Sequence, residues 1–205
     1  MFPERIETDR LVLERLCHEH VDLHEFYRIC SDADGSEEMA EVTRYMPWEP
    51  HTTINESKEF IDGAEERWKE GKSADYIIRP GDGEDGADTF AGVGSLHPDW
   101  DRRTGGLGMW LRKRFWGRGY SGERAAALME LAFERLDLDC VAVTHHADNE
   151  KSRRAIEKYV EAHGGQCDGR LRNWVPYGDE VADEYRYTII QDEYRAATRG
   201  DDQST

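Results

Sequence analysis

Long apolar runs, paired cysteines and lysine are what this chain has least of. No segment approaches the roughly 18 apolar residues needed to cross a bilayer, and the opening M-F-P-E-R-I-E leads into no apolar stretch of signal-peptide length. The four cysteines are widely separated and show neither C-x-x-C nor Cys/His metal spacing: Cys17, Cys30, Cys140 and Cys167. We therefore expect reduced thiols, no metal site, and a cytoplasmic protein that contacts no membrane.

Positive charge is scarce as well. There are 44 acidic residues against 27 basic ones, which gives a formal net charge of -17, and arginine far outnumbers lysine. This charge argues against nucleic acid as a partner, but a basic protein tail or a polyamine would be attracted. A dense carboxylate surface repels itself in dilute buffer, and this repulsion is screened at about 1 M salt, where the Debye length is ~3 Å. The composition therefore indicates either a salt-adapted source or an ordinary acidic cytosolic protein.

The periodicity of apolar residues predicts the elements and their order. We expect a strand, two helices, three strands, a helix, a strand, a helix and two strands. The second helix is predicted over Thr53 to Glu70 because its apolar positions recur at helical spacing up to Gly71. The strands Ala74 to Arg79 and Thr89 to His97 flank the acidic P-G-D-G-E-D-G-A, which predicts a solvated hairpin tip.

The length of 205 residues suits one well-cored domain, and no linker rich in Pro, Gly or Ser divides it. We predict a single domain over residues 1–195. The acidic residues that follow, 196–205, are predicted to form a flexible tail.

The most informative stretch is W-L-R-K-R-F-W-G-R-G-Y-S-G-E, which runs from Trp110 to Glu123. It has the pattern of a strand that enters a glycine-rich turn and then a helix. Gly117 and Gly119 allow a sharp backbone bend that presents several N–H groups to one anion. The free N–H groups and the dipole of the helix start favour a diphosphate there. Neither a P-loop nor the three-glycine dinucleotide fingerprint is present, so the pattern indicates another phosphate ligand or a plain structural turn.

Arg114-x-x-Gly117-x-Gly119 resembles the pyrophosphate-binding signature of the GCN5-related N-acetyltransferases, whose ligand is acetyl-CoA. The preceding G-L-G-M-W-L, with Trp116 and Tyr120 around the glycines, is similar to the RimJ/RimL-like subgroup, which acetylates ribosomal-protein N-termini and similar amines. The likeness extends over nearly the whole chain, from I-E-T-D-R-L-V-L-E-R-L to the final strand.

This resemblance implies the fold and the cofactor site. The expected fold class is α/β (α+β), a mixed, mostly antiparallel sheet of about seven strands with helices on both faces and splayed strands that form the acetyl-CoA cleft. Pantetheine is expected to pair with the strand backbone at Trp110, Leu111 and Arg112, where an N–H also faces the thioester oxygen. The diphosphate is expected over the residues Arg114, Phe115, Trp116, Gly117, Arg118, Gly119, Tyr120 and Ser121.

A second constellation is Asn149-x-x-Ser152 at the start of a predicted helix. On local grounds this spacing is typical of helix capping. In the resembling subgroup, the Asn holds pantetheine and the Ser lies near the sulfur, so Ser152 is our first choice for protonating the CoA thiolate, directly or through water. Tyr159 is the second candidate acid, although it falls on the apolar stripe of the helix and the subgroup carries an apolar residue near there.

The general base is not identified by the sequence. Relatives often carry a Glu just before the Leu-Gly of the cofactor strand, whereas this chain has Gly106. A water chain could serve instead, or one of several side chains able to accept a proton: His97, Asp99, Asp101, His145 and His146.

Together these observations predict an acetyl-CoA-dependent N-acetyltransferase. A direct ternary-complex mechanism is expected because no cysteine in the signature region could carry the acyl group. We rank a protein or peptide N-terminus above a polyamine or an aminoglycoside-like molecule as the amine acceptor. The alternative is a non-catalytic acyl-CoA-binding sensor, for which Gly106 is the best argument. The oligomeric state stays open, with a homodimer as one option.

Overall fold

The computed structural model describes residues 1–32, 38–177 and 180–201. In these ranges the strands are β1 (Arg5–Glu7), β2 (Leu11–Arg15), β3 (Ala74–Pro80), β4 (Gly92–Asp99), β5 (Thr104–Leu111), β6 (Cys140–His146), β7 (Gln166–Tyr177) and β8 (Glu180–Ile190). The helices are α1 (Leu23–Cys30), α2 (Glu38–Thr43), α3 (Ile54–Lys69), α4 (Tyr120–Glu130), α5 (Glu150–Ala162) and α6 (Gln191–Asp201). A 3-10 turn at Lys113–Phe115 precedes α4, and α4 continues into a π-helical segment at Leu131–Arg135.

Within the described part of the chain, eight strands form one sheet in the order β1-β2-β3-β4-β5-β6-β8-β7. β2 is antiparallel to both β1 and β3, and β8 is antiparallel to both β6 and β7. β5 and β6 are parallel, which makes the sheet mixed. The predicted fold class is therefore confirmed. The strand count exceeds the expected seven because the short β1 was too brief to show an alternating pattern.

The chain divides into two compact units, Met1–Ser95 with Met109–Tyr120, and Leu96–Gly108 with Ser121–Thr205. The assignment of residues 1–195 to one N-acetyltransferase domain stays a prediction.

The first unit is cored by an apolar cluster to which α1, α3 and the sheet contribute. Phe26 stacks on Phe60 at 5.7 Å between ring centroids and meets Phe90 edge-on at 5.6 Å. The partly buried Trp48 packs edge-on against Trp110 of this core, with 5.8 Å between ring centroids. α3 starts where predicted because Thr53 accepts a hydrogen bond from the Glu56 N–H at 3.4 Å, which caps the first turn.

The second unit is cored by one face of α4 and its π-helical extension, with β6 and α5. The predicted apolar stripe of α4 is buried at Ala125, Leu128 and Met129. Phe133 of the π-helical segment contacts Tyr194 of α6, with 4.8 Å between ring centroids. This contact fixes the beginning of α6 against the core.

Further differences from the sequence prediction lie at the C-terminal end and in the acidic loop. Helix α6 extends through residues 196–201, which the sequence assigned to a flexible tail, while 202–205 lie outside the described residues. The acidic loop between β3 and β4, residues 81–88, is not a free hairpin tip, because its carboxylates contact the glycine turn. No helix in the described ranges is long and apolar enough to cross a membrane.

Candidate active site

Strand β5 leaves its parallel neighbour halfway along its length. The register with β6 runs from Thr104–Cys140 to Leu107–Val143 and stops there, although β6 continues to pair with β8 as far as His146. The predicted splay requires such a break, because a strand released from its neighbour offers backbone N–H and C=O groups to a ligand.

The end of β5 is held by close backbone packing. The Arg112 N–H donates to the Ala91 carbonyl at 2.8 Å, and a Cβ added at Gly92 would lie 2.1 Å from the Trp110 carbonyl oxygen. The side chains of Trp110 and Leu111 are buried, so only their backbone can meet pantetheine. Burial also lowers the pKa of the Arg112 guanidinium, which donates to the Phe90 carbonyl at 3.2 Å.

The turn before α4 has the backbone that the two glycines predicted. Gly117 has φ +76° and Gly119 has φ +83°, the left-handed region that residues with a Cβ rarely adopt. A Cβ at Gly117 would meet open space, so the requirement for glycine there is conformational, while a Cβ at Gly119 would lie 3.3 Å from the Arg10 guanidinium. We call residues Arg114 to Tyr120 the signature turn.

Two arginines of the signature turn lie over one aromatic ring. The Arg114 guanidinium is 4.5 Å from the Phe115 centroid and donates to Thr89 Oγ1 at 3.0 Å. The Arg118 guanidinium is 5.2 Å from the same centroid. Trp116 donates from its indole nitrogen to the Leu111 carbonyl at 2.8 Å, which ties the turn to the end of β5. The turn is therefore both cationic and rigidly supported.

A third arginine, Arg10, was not predicted as a site residue. Its guanidinium donates to the Arg118 carbonyl at 3.0 Å and lies 5.5 Å from the Tyr120 centroid. Arg10 and Arg118 are 108 positions apart, so no local pattern could have paired them.

The predicted pair Asn149 and Ser152 forms a helix cap. The side-chain oxygen of Asn149, Oδ1, accepts from the Ser152 backbone N–H at 3.1 Å at the start of α5. The local capping interpretation is thus correct for Asn149. Because this cap uses the Asn149 oxygen and the Ser152 backbone N–H, the Asn149 NH2 group and the half-buried Ser152 hydroxyl take no part in it.

Tyr159 is almost fully buried on α5, as its place in the apolar stripe suggested. Burial raises the pKa of its phenol to about 12, against an opposing effect of Arg124. Arg124, on α4, is itself buried and donates to the Gly108 carbonyl at 3.4 Å. Sequence reasoning missed Arg124, because a charged residue beside an apolar stripe normally lies in solvent.

The candidate bases differ in their burial and in the groups that surround them. His145 is buried, with Nδ1 2.8 Å from the His146 carbonyl and Nε2 3.3 Å from the Tyr187 hydroxyl. The pKa of Asp99 is lowered by hydrogen bonds from the Arg102 backbone and side chain. A Cβ built at Gly106 would lie 3.7 Å from the Cβ of the exposed His97, an ordinary contact, so a side chain fits at position 106 beside His97.

The described part of the chain contains no cluster of metal-ligating side chains. No group of three or more His, Cys, Asp or Glu side chains there is placed to hold an ion. The four cysteines are free thiols, of which Cys17 and Cys30 are buried.

Comparison with known proteins finds relatives that match over most of the chain. YnaD of Bacillus subtilis (strain 168), an uncharacterized N-acetyltransferase, is 25% identical over 189 residues, which cover 92% of this chain and 98% of YnaD. Two solved structures share the fold. They are the ribosomal L7/L12 alpha-N-protein acetyltransferase RimL in complex with coenzyme A (TM-score 0.76, 19% identity, 93% of this chain and 99% of that one), and the microcin C7 self immunity acetyltransferase MccE in complex with acetyl-CoA and AMP (TM-score 0.76, 19% identity, 92% and 97%).

The family is settled by a match to residues 10–159, which is most of the chain. These residues match the family model of the acetyltransferase (GNAT) domain. The chain belongs to the GNAT acetyltransferase family, and it is an N-acetyltransferase that uses acetyl-CoA as its co-substrate.

Proposed function

We propose that this enzyme is of the RimJ/RimL-like type and acetylates the amino terminus of a protein or peptide. The observation that carries the proposal is the left-handed Gly117/Gly119 turn, which joins the end of β5 to the start of α4. The fold shared with RimL and the net charge of -17, which attracts a basic acceptor, support it.

The signature turn binds the diphosphate of acetyl-CoA in this proposal. We expect backbone N–H groups of this turn and of the start of α4 to donate to the diphosphate, because the first N–H groups of a helix lack intrahelical partners. Arg114 and Arg118 add positive charge that Phe115 holds in place. Pantetheine then lies along the backbone of Trp110, Leu111 and Arg112.

Acetyl transfer proceeds by direct attack of the neutral acceptor amine on the thioester carbonyl. The C–N bond forms, the carbonyl oxygen takes the developing negative charge, and the C–S bond then breaks. A backbone N–H of β5 stabilises the oxyanion. Ser152 gives its hydroxyl proton to the leaving thiolate as it takes one from solvent water, so the serine ends the step as a hydroxyl. Asn149 holds the pantetheine arm through its NH2 group, because its oxygen is committed to the helix cap.

The acceptor amine gives up its proton to His97. Position 106, where relatives often carry the catalytic Glu, lies beside His97 on the neighbouring strand. An imidazole accepts a proton near neutral pH, so His97 can replace the missing carboxylate. His145 is less suitable because its side chain is buried, whereas that of His97 is exposed to solvent and to an incoming acceptor.

The proposal also includes the cellular location and the salt adaptation of the enzyme. The acidic surface suits a salt-adapted protein of the cytoplasm, where thiols stay reduced.

A panel of acceptors tests the proposed function. The enzyme is incubated with acetyl-CoA and one of four amines, namely a basic peptide with a free N-terminus, the same peptide with a blocked N-terminus, spermidine, and an aminoglycoside. Release of CoA thiol gives the rate, and mass spectrometry locates the acetyl group. We expect turnover with the free peptide alone. Faster turnover with spermidine or the aminoglycoside would contradict the choice of acceptor while leaving the acetyltransferase chemistry intact.

A further inference from the structure

The acidic loop, residues 81–88, contacts the signature turn at three places. Asp85 Oδ2 accepts from the Arg118 guanidinium at 2.8 Å, and the Asp85 carbonyl accepts from the other terminal nitrogen, also at 2.8 Å. Glu84 accepts from the Tyr120 hydroxyl at 2.7 Å. A Cβ at Gly86 would lie 3.1 Å from the Phe115 ring. The loop backbone is therefore packed on the turn, and its carboxylates reach the residues on either side of Gly119.

The loop is fixed in this position by its own hydrogen bonds. The Gly81 N–H donates to the Arg10 carbonyl at 2.7 Å, and the Asp88 N–H donates to the Pro80 carbonyl at 2.8 Å. Thr89 Oγ1 donates to the Gly86 carbonyl at 2.6 Å and accepts from Arg114. Asp85 consequently meets Arg118 from a defined position.

The two terminal nitrogens of Arg118 are both engaged by Asp85, and these are the atoms with which an arginine grips a phosphate. Carboxylate and phosphate are both anionic acceptors, so they compete for the same guanidinium. The side chain of Asp85 is exposed while that of Arg118 is partly covered, so the Asp85 carboxylate can rotate away while the loop backbone stays in place.

We propose that the acidic loop is an autoinhibitory contact in which Asp85 occupies the phosphate-binding arginine of the free enzyme. Acetyl-CoA binds by exchanging Asp85 for its own phosphate on Arg118, so the loop sets the cofactor affinity. The inference rests on the proposed placement of the diphosphate on the signature turn. Glu84 contributes repulsion, because its carboxylate lies at the Tyr120 end of the turn.

The test measures the dissociation constant of acetyl-CoA by calorimetry for the wild type, Asp85→Asn and Asp82→Asn at 0.1 M and 1 M NaCl. Asp82 is exposed in the same loop and gives the same change of net charge, so it is a matched control. Exposed ion pairs are worth little, so we expect Asp85→Asn to bind roughly threefold more tightly at 0.1 M salt, with Asp82→Asn close to wild type. At 1 M salt the difference should shrink, because screening already weakens the Asp85–Arg118 pair.

Three results would overturn the proposal. Equal tightening by Asp85→Asn and Asp82→Asn would mean that only net charge matters. Weaker binding by Asp85→Asn would mean that Asp85 orients Arg118 for the ligand. Rates of acetyl transfer to the free peptide, measured on the same variants, separate this inference from the proposed function, because unchanged affinities with normal turnover reject the autoinhibitory contact alone.

Discussion

The signature turn and the start of α5 each lead into a helix, and they differ in the interactions that begin it. At the signature turn, two left-handed glycines bend the backbone before Tyr120, and aromatic contacts support the arginines around them. At α5, the side chain of Asn149 takes up a backbone N–H of the first turn. The first region depends on backbone conformation and the second on side-chain chemistry, so Gly117 substitutions should affect binding, whereas replacing Ser152 should affect turnover.

The largest effect is expected at Gly117. Gly117→Val forces a β-branched residue into φ +76°, which costs about 1–3 kcal/mol and distorts the turn. We expect acetyl-CoA binding to fall by about 10²-fold or more in calorimetry, with the fold retained, because a side chain there meets open space. Gly169→Val, at another left-handed glycine with open space, controls for strain. Equal cofactor affinity in the Gly117 variant and the wild type would show that the diphosphate does not bind at this turn.

Ser152→Ala should affect turnover and not binding. If the hydroxyl protonates the thiolate, kcat falls by about 10²-fold while the KM for acetyl-CoA changes little. The fold should keep its stability, because the backbone N–H of residue 152 is what bonds to Asn149. Asn149→Ala is the contrasting variant and should lower the free energy of unfolding by about 1 kcal/mol. A kcat for Ser152→Ala within a factor of two of wild type would leave α5 with a capping role only.

His97 is tested by loss and rescue. His97→Ala should lower kcat at pH 7 by about tenfold or more, because the acceptor amine loses its base. Adding Gly106→Glu to this variant should restore much of the rate, since position 106 has room for a side chain beside residue 97. Gly106→Gln in the same background is the matched control, because glutamine has nearly the shape of glutamate but cannot act as a base. Rescue by Gln as well as Glu, or no loss in His97→Ala, would be evidence for a water chain instead.

Salt should act in the opposite sense to that expected for a basic phosphate-binding protein. Between about 0.1 M and 1 M salt, screening weakens the long-range repulsion between the acidic surface and the CoA phosphates more than the contacts in the turn. We expect both the melting temperature and the acetyl-CoA affinity to rise, the affinity by a few-fold. A cofactor titration across this range is the measurement, and an affinity that falls steadily with salt would speak against salt adaptation.

The smallest effect on turnover is expected at Tyr159. Tyr159→Phe should leave kcat within about twofold, because burial keeps the phenol protonated at neutral pH and makes it a poor acid. Its folded pKa of about 12 lies above the ordinary 10.0, so the stability from the protonated phenol is complete below pH 10 and is lost as pH rises toward 12. In Tyr159→Phe, the free energy of unfolding should therefore fall less steeply between pH 10 and pH 12 than in the wild type. A large drop in kcat would instead make Tyr159 the acid.

The sequence predicted the signature turn because its information is local. Two glycines after an apolar strand and before an amphipathic stretch constrain φ within a few positions. The contacts of Arg10 and Asp85 with Arg118 join residues 108 and 33 positions apart, and composition suggested only that the acidic loop was solvated. The burial of Arg124 could not be predicted either. Helical periodicity shows which face of a helix is apolar, but it does not show which polar residue at the edge of that face is buried.

Gly92 and Gly117 would behave differently in a library of all substitutions. At Gly92 any Cβ would collide with the Trp110 carbonyl, so selection for folded protein alone already restricts that position to glycine. At Gly117 there is open space and only φ is demanding, so Asn and Asp, which tolerate the left-handed region, would survive the same selection. Comparing a library sorted for abundance with one sorted for acetylation would therefore separate the glycine that the strand pair requires from the glycine that we propose the ligand requires.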